Sequence, residues 1–160
     1  ITYTVLVNFN MAKVLPFFLQ GTVVKGFGRG SKDLGCPTAN FALEVVRTLP
    51  RGLQPGVYCG FASVEGGAVH KMVANIGWCP FYQNKEMSVE THVMHKFDND
   101  FYGSNLKIVL VAYLRGEKNF GSLDELVVAI KADIDNASKM LDESSARDLK
   151  NHEFFNNVTA

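Results

Sequence analysis

The chain has 160 residues, which is enough for one domain with a buried core. Its 16 Lys and Arg residues balance its 16 Asp and Glu residues, so the formal net charge is zero. Nucleic-acid binders carry a basic excess; the balance therefore argues against a nucleic-acid partner and against an electrostatic role at a membrane surface.

The first segment, residues 1–16, is predicted to be an N-terminal extension. Its opening letters, ITYTVLVNFN, lack the basic region and small-residue cleavage site of a signal peptide. Met11 is a candidate native start, with the residues before it foreign to the natural protein. An odd number of widely spaced cysteines predicts reduced thiols. We therefore expect a monomer in the cytoplasm, with an organelle as the alternative.

The middle of the chain alternates β-rich segments with glycine- and proline-rich connections. Strands are predicted at 17–24, 57–64, 69–76, 88–97 and 106–114, with a short extended or turn segment at 41–46. Five or six strands in succession, joined by loops and turns, indicate an antiparallel sheet or a closed barrel.

The last part of the chain changes to a helical pattern. Ser122 and Glu125 form a capping box, and apolar residues then recur every three or four positions. A helix is predicted over 122–142, with its apolar stripe against the barrel. In the tail, residues 143–160, Phe154 and Phe155 either dock on the body or leave the tail loose.

Four glycines and three cations occur in the stretch KGFGRGSKDLG, residues 25–35. Glycine lets the backbone approach a ligand closely, and successive N–H groups can cradle an anion. The spacing matches neither a P-loop nor a dinucleotide fingerprint. An anion-binding loop and a loop with solvated cations are equally compatible with these features.

Pro-Thr-Ala-Asn follows this loop directly. In an extended chain Thr38 and Asn40 lie on one face, and their hydroxyl and amide oxygens suit Mg²⁺. Turn hydrogen bonds are the alternative use of both residues.

The stretch SVETHVMHKF places Glu90 and His92 on one face of a predicted strand and His95 on the other. Glutamate is disfavoured in strands, so Glu90 is either a base in a cleft or a carboxylate at the rim. A zinc site using Glu90, His92 and His95 is disfavoured, because the two histidines face opposite ways.

Between the last strand and the helix, the loop YLRGEKNF carries two cations, Arg115 and Lys118, and one aromatic ring, Phe120. Such a loop could hold a planar ligand with polar edges. It could equally be a charged connection with Phe120 as a hydrophobic plug of the helix.

Taken together and in this order, these motifs resemble the riboflavin kinase family, in its eukaryotic monofunctional form. The residues that carry the resemblance are GFGRGSKDLGCPTANF, GVYCGFASV, HKMVANIGWCPFY, VETHVMHKFDNDFYG and YLRGEKNF, within residues 17–141. Gly116 departs from the family, where proline is usual, and this should loosen the loop around it.

The resemblance implies a fold that is mainly β: a six-stranded Greek-key antiparallel β-barrel with a long C-terminal α-helix, over residues 17–142. It implies transfer of the ATP γ-phosphoryl group to the 5′-hydroxyl of riboflavin, giving FMN and ADP. Mg²⁺ is the implied metal, with Zn²⁺ and Mn²⁺ as alternatives. Carried over by motif, Glu90 is the catalytic base, Thr38 and Asn40 hold the metal, and the ATP contacts are Gly26, Lys32, Thr38, Asn40, Val93, His95 and Tyr102.

For the flavin, the resemblance implies contacts from Arg115, Lys118 and Phe120. The alternative function is a flavin-binding or carrier barrel without catalysis. A generic barrel serving as an interaction module is a third hypothesis; an exposed apolar patch without polar groups would indicate it.

Overall fold

A computed structural model describes residues 14–27 and 32–156 of the chain. There, six antiparallel strands close into one barrel, with the helices outside it. The strands are β1 (Phe17–Val24), β2 (Ala39–Phe41), β3 (Gly56–Val64), β4 (His70–Trp78), β5 (Met87–Val93) and β6 (Asn105–Arg115). The helices are α1 (Leu43–Val46), α2 (Leu123–Leu141) and α3 (Ser144–Lys150), with 3-10 turns at Pro80–Tyr82 and Glu153–Phe155.

Around the barrel the strand order is β1-β2-β5-β4-β3-β6, and β6 closes on β1. Strands β3, β4 and β5 are successive neighbours, whereas β2 lies on the far side of β5, which makes these four strands a Greek key. The predicted six-stranded Greek-key antiparallel barrel followed by a long helix is confirmed. Closure gives each of the six described strands a partner on both sides, although the short β2 pairs with only two residues of β1 and two of β5.

Side-chain alternation separates the barrel interior from its outer surface. The interior is filled by large side chains that are almost fully buried, including Tyr58, Met72, Ile76, Leu106, Ile108 and Leu110. On β5, Val89 and Val93 belong to this core. Because strand side chains alternate between faces, Glu90 and His92 lie on the outside of the barrel.

Two predicted elements differ in the structure. In the segment 41–46, predicted to be extended or a turn, only Phe41 is extended as the last residue of β2, and Leu43–Val46 forms the single helical turn α1. Strand β5 ends at Val93, four residues before the prediction. Beyond it the His95 N–H donates to the Val93 carbonyl 2.8 Å away, so the chain turns and leaves the ladder.

The helix α2 begins and ends as predicted. The Ser122 hydroxyl accepts a hydrogen bond from the Glu125 N–H at 3.2 Å, and Asp124 and Glu125 in the first turn favour the positive end of the helix dipole. Its residues Ile134, Ala137 and Leu141 pack on the outer face of the barrel.

The tail is docked through its described residues. Helix α3 and the turn Glu153–Phe155 follow α2, and Phe155 is buried in the same outer cluster. The Lys107 ammonium, buried on β6, donates to the Phe154 carbonyl at 3.1 Å. This resolves the two alternatives for Phe154 and Phe155 in favour of docking. Within the described residues, no helix is long and apolar enough to cross a membrane.

Candidate active site

An open cleft of about 1010 Å³ lies beside the end of the barrel where β1 finishes and β2 begins. Its walls come from the segment after β1, from β2 and β5, and from the connection between β5 and β6. The residues predicted for catalysis, metal and ATP all line it: Gly26, Lys32, Thr38, Asn40, Glu90, Val93, His95 and Tyr102. The fold thus gathers into one cleft residues that lie as far as 76 positions apart in the sequence, from 26 to 102.

Strand register places the key polar side chains next to one another. Asn40 of β2 is directly opposite Glu90 of β5, and Glu90 is directly opposite Asn75 of β4. Residues that face each other across a ladder share one face of the sheet. Glu90 therefore lies between two asparagines on the outer surface.

The same row of paired residues continues to the loop YLRGEKNF, residues 113–120, which is predicted to contact the flavin and is called the flavin loop below. Asn75 is opposite Val57 of β3, and Val57 is opposite Arg115 of β6. Adjacent strands are about 4.8 Å apart, so the row from Glu90 to Arg115 spans three spacings, or about 14 Å. One continuous surface thus joins the two groups of predicted site residues, although Arg115, Lys118 and Phe120 do not line the cleft itself.

The glycine loop touches the metal-ligand candidate directly. A methyl group on Gly26 would overlap the amide nitrogen of Asn40. A side chain at this position would displace the Asn40 carboxamide, so glycine leaves the carboxamide in place. Gly28, Gly30 and Arg29, which the anion-binding hypothesis also includes, lie outside the described residues.

Replacing Gly26 by alanine is expected to lower kcat/KM for ATP by about tenfold, because a catalytic-site group moved by an ångström loses its geometry. Steady-state kinetics with varied ATP tests this. Gly52→Ala is the control: its new methyl would meet only Val14, at 3.3 Å, far from the cleft. Equal kinetics for Gly26→Ala and the parent protein would contradict the role of this contact.

Two side-chain contacts tie the cleft walls together. The Lys32 ammonium pairs with the Asp100 carboxylate at 3.0 Å, joining the glycine loop to the β5–β6 connection. This hydrogen bond and the carboxylate charge raise the pKa of Lys32, which keeps it cationic. On the floor, the His92 ring nitrogen Nδ1 lies 2.9 Å from the Pro37 carbonyl oxygen and links β5 to the segment before β2.

His95 is held by an aromatic stack rather than by the sheet. Its ring lies face to face with that of His70, with centroids 4.1 Å apart, and meets the edge of Phe97 at 4.8 Å. Burial, then the charges of His95 and Lys150, lower the pKa of His70. The stacked His70 ring thus supports His95 at the cleft wall.

An aromatic contact also joins the glycine loop to the β4–β5 connection. Phe27 stacks on Phe81 with ring centroids 4.5 Å apart, and Tyr82 meets both rings edge-on. Sequence reasoning did not pair these residues, because Phe27 and Phe81 are distant in the chain.

Arg115 is engaged by the long helix. Its Nε and Nη2 donate to the two carboxylate oxygens of Asp133 at 2.8 and 2.7 Å, and Nη1 donates to the Gly116 carbonyl at 3.0 Å. The guanidinium carbon lies 5.9 Å from the Phe120 ring centroid. Arg115 thus fixes the loop after β6, and Lys118 is exposed on it.

The donor set fits a hard cation. Thr38 and Asn40 supply a hydroxyl and an amide oxygen close to the Glu90 carboxylate, the oxygen ligands that Mg²⁺ prefers together with phosphate and water. In the described part of the chain, no group of three or more His, Cys, Asp and Glu side chains is placed to hold a metal ion.

Sequence reasoning missed two members of this surface. Asn75 gave no signal by itself, although its place on β4 between buried Ala74 and Ile76 puts it on the outer face. Asp133 looked like an ordinary polar residue of α2, but it is only 8% exposed and accepts from Arg115. A charged residue inside the apolar stripe was the available clue.

Fold and cleft together show a closed β-barrel with oxygen donors and several carboxylates, Glu90 among them, gathered at an open cleft. The model of the flavokinase (riboflavin kinase) family matches residues 14–141. A riboflavin kinase from Mus musculus is 55% identical over 141 residues, covering 88% of this chain and 91% of the relative, and one from Homo sapiens is 53% identical with the same coverage. The chain belongs to the riboflavin kinase family.

A solved structure agrees. The crystal structure of riboflavin kinase from Trypanosoma brucei superposes with a TM-score of 0.74 at 30% identity, covering 91% of this chain and 92% of that one.

Proposed function

We propose that the chain transfers the γ-phosphoryl group of ATP to the 5′-hydroxyl of riboflavin, giving FMN and ADP. The observation that carries this proposal is the pairing of Asn40 with Glu90 in a cleft that also contains Gly26 and Thr38. Family membership supports the same reaction. ATP and riboflavin are thus the proposed small-molecule partners.

In the proposed mechanism, Glu90 orients the 5′-hydroxyl and accepts its proton as the oxygen attacks the γ-phosphorus. The new oxygen–phosphorus bond forms while the bond from the γ-phosphorus to the β,γ-bridging oxygen breaks, and ADP leaves with that oxygen. Such a transfer depends on positioning and on charge stabilisation more than on covalent help. Glu90 acts as a general base and is not itself phosphorylated.

The donor side stabilises charge. Thr38 and Asn40 would hold Mg²⁺, with Mn²⁺ or Zn²⁺ as substitutes, and Lys32 with the glycine-loop amides would contact the phosphates. A bound Mg²⁺ supplies charge neutralisation at the phosphate oxygens. Val93, His95 and Tyr102 are proposed to contact the nucleotide, and Arg115, Lys118 and Phe120 the flavin.

The direct test is chromatographic detection of FMN after incubating the protein with riboflavin, ATP and Mg²⁺. We expect FMN with the full mixture, and none when ATP is omitted or EDTA is added. Quenching of riboflavin fluorescence without any FMN would instead support the alternative, a flavin-binding barrel without catalysis. Absence of both signals would contradict both functions.

A further inference from the structure

Asn75 occupies a position on the outer surface that the proposed reaction has not yet used. It is exposed, whereas the residues on either side of it, Ala74 and Ile76, are 1% and 0% exposed. Asparagine is disfavoured in strand interiors. The Asn75 side chain therefore lies on the outer face of β4 and does not contribute to the core.

The neighbours of Asn75 define what can reach it. On one side is Glu90, directly opposite it across the β4–β5 ladder. On the other side is Val57, opposite Asn75 on β3 and 8% exposed, followed by Arg115 on β6. Asn75 is the one polar side chain of this row between Glu90 and Arg115.

The surface next to Asn75 is bounded on one side by the loop after β6, the flavin loop. Gly77, two residues further on the same face, carries no side chain, and a methyl group there would overlap the Glu117 carboxylate. The loop after β6 therefore contacts β4 close to Asn75, through Glu117. An acceptor that extends from Glu90 towards this loop has to pass over the Asn75 carboxamide.

Distance and chemistry point to the sugar-alcohol chain of the acceptor. One strand spacing, about 4.8 Å, separates the backbone positions of Glu90 and Asn75. A carboxamide both donates and accepts hydrogen bonds, which suits a secondary hydroxyl close to the reacting one. Across the described residues, no protein group is hydrogen-bonded to this carboxamide, so it is available to a ligand.

We propose that Asn75 is a specificity-determining residue for the acceptor: its carboxamide hydrogen-bonds the hydroxyls of the ribityl chain next to the 5′-hydroxyl. The inference rests on the proposed function and on Glu90 as the base. By holding the chain one strand away, Asn75 brings its terminal hydroxyl to Glu90. It also selects a polyhydroxylated chain over one that lacks those hydroxyls.

The test compares riboflavin with 4′-deoxyriboflavin as acceptors, in the parent protein and in Asn75→Ala. We expect the parent to prefer riboflavin by about tenfold in kcat/KM, the size of one hydrogen bond to a bound hydroxyl. In Asn75→Ala, kcat/KM for riboflavin should fall about tenfold, that for the analogue should stay constant, and the preference should vanish. The KM for ATP should not change.

Two further variants sharpen the comparison. Asn75→Ser retains a hydrogen-bonding group and should keep part of the preference. Gln20→Ala removes an exposed strand amide from β1, away from the cleft, and should alter neither acceptor. Thermal midpoints of all variants should agree closely, because both side chains are exposed.

The outcomes separate this inference from the proposed function. A parent protein that makes no FMN would refute the function, and the inference with it. With an active parent, an unchanged preference in Asn75→Ala would overturn the inference alone. An equal loss on both acceptors, or a raised KM for ATP, would also overturn it, since either result would assign Asn75 a structural or donor-side role.

Discussion

Replacement of Glu90 by glutamine is expected to lower kcat by about 10²- to 10⁴-fold, the usual contribution of a positioned general base. Glutamine has nearly the same shape, and it keeps an oxygen that can accept the hydrogen bond of the attacking hydroxyl. It cannot take up the proton as the bond to phosphorus forms. The KM values for riboflavin and ATP should therefore stay within about twofold.

Steady-state kinetics of FMN formation measure this effect. The matched control is Glu86→Gln, the same change one residue before β5, where the carboxylate pairs with Arg47 at 2.7 Å outside the cleft. That pair is at the surface, where solvent screens the two charges, so its loss should change stability little and leave turnover intact. Full turnover in purified Glu90→Gln would remove Glu90 from the role of base.

The second large effect is expected at Asp133. Its carboxylate receives both parallel hydrogen bonds from Arg115, and the two side chains are only 11% and 21% exposed. Removing one partner of such a pair leaves the other charge half-buried and unpaired. Asp133→Ala should therefore lower the free energy of unfolding by about 3 kcal/mol.

The same change should affect the acceptor. Arg115 also donates to the Gly116 carbonyl and lies near the Phe120 ring, so freeing it loosens the loop. We expect a raised KM for riboflavin with an unchanged KM for ATP. Urea unfolding and steady-state kinetics measure the two effects.

Asp135→Ala, two residues along α2 at an exposed position, is the control and should stay within about 0.5 kcal/mol of the parent. If Asp133→Ala were as stable as Asp135→Ala, the ion pair would not hold the loop. A double variant, Arg115→Met with Asp133→Leu, should recover stability, because a buried pair can be replaced by apolar packing. It should not recover the KM for riboflavin if Arg115 also binds the flavin.

Several local features could be predicted correctly from the sequence. The capping box at Ser122 and the apolar repeat placed α2 correctly, since the residues that specify a helix start lie within one turn of it. Strand β1 was likewise predicted at its observed ends. The end of β5 was not, because His95 and Phe97 continue the β-prone pattern, while the chain leaves the ladder after Val93.

The residues of the candidate site also fall into two groups, those predicted from the sequence and those found only in the structure. Thr38, Asn40 and Glu90 could be predicted as site residues from the sequence alone, because each lies in a short motif of neighbouring residues. Nothing local showed that Asn75 stands opposite Glu90, or that Asp133 binds Arg115. Both contacts join separate elements, and their partners depend on how those elements are arranged in space.

By itself, then, the sequence determined which segments form strands and where the long helix begins, because periodicity, caps and glycine act over a few neighbouring residues. It also showed which side chains offer oxygen ligands and which are cations. Only the tertiary structure decided the row Asn40–Glu90–Asn75–Val57–Arg115. A one-residue slip in pairing would turn side chains to the opposite face. Barrel closure and core packing fix that register, and they therefore bring the predicted donor and acceptor residues onto one surface.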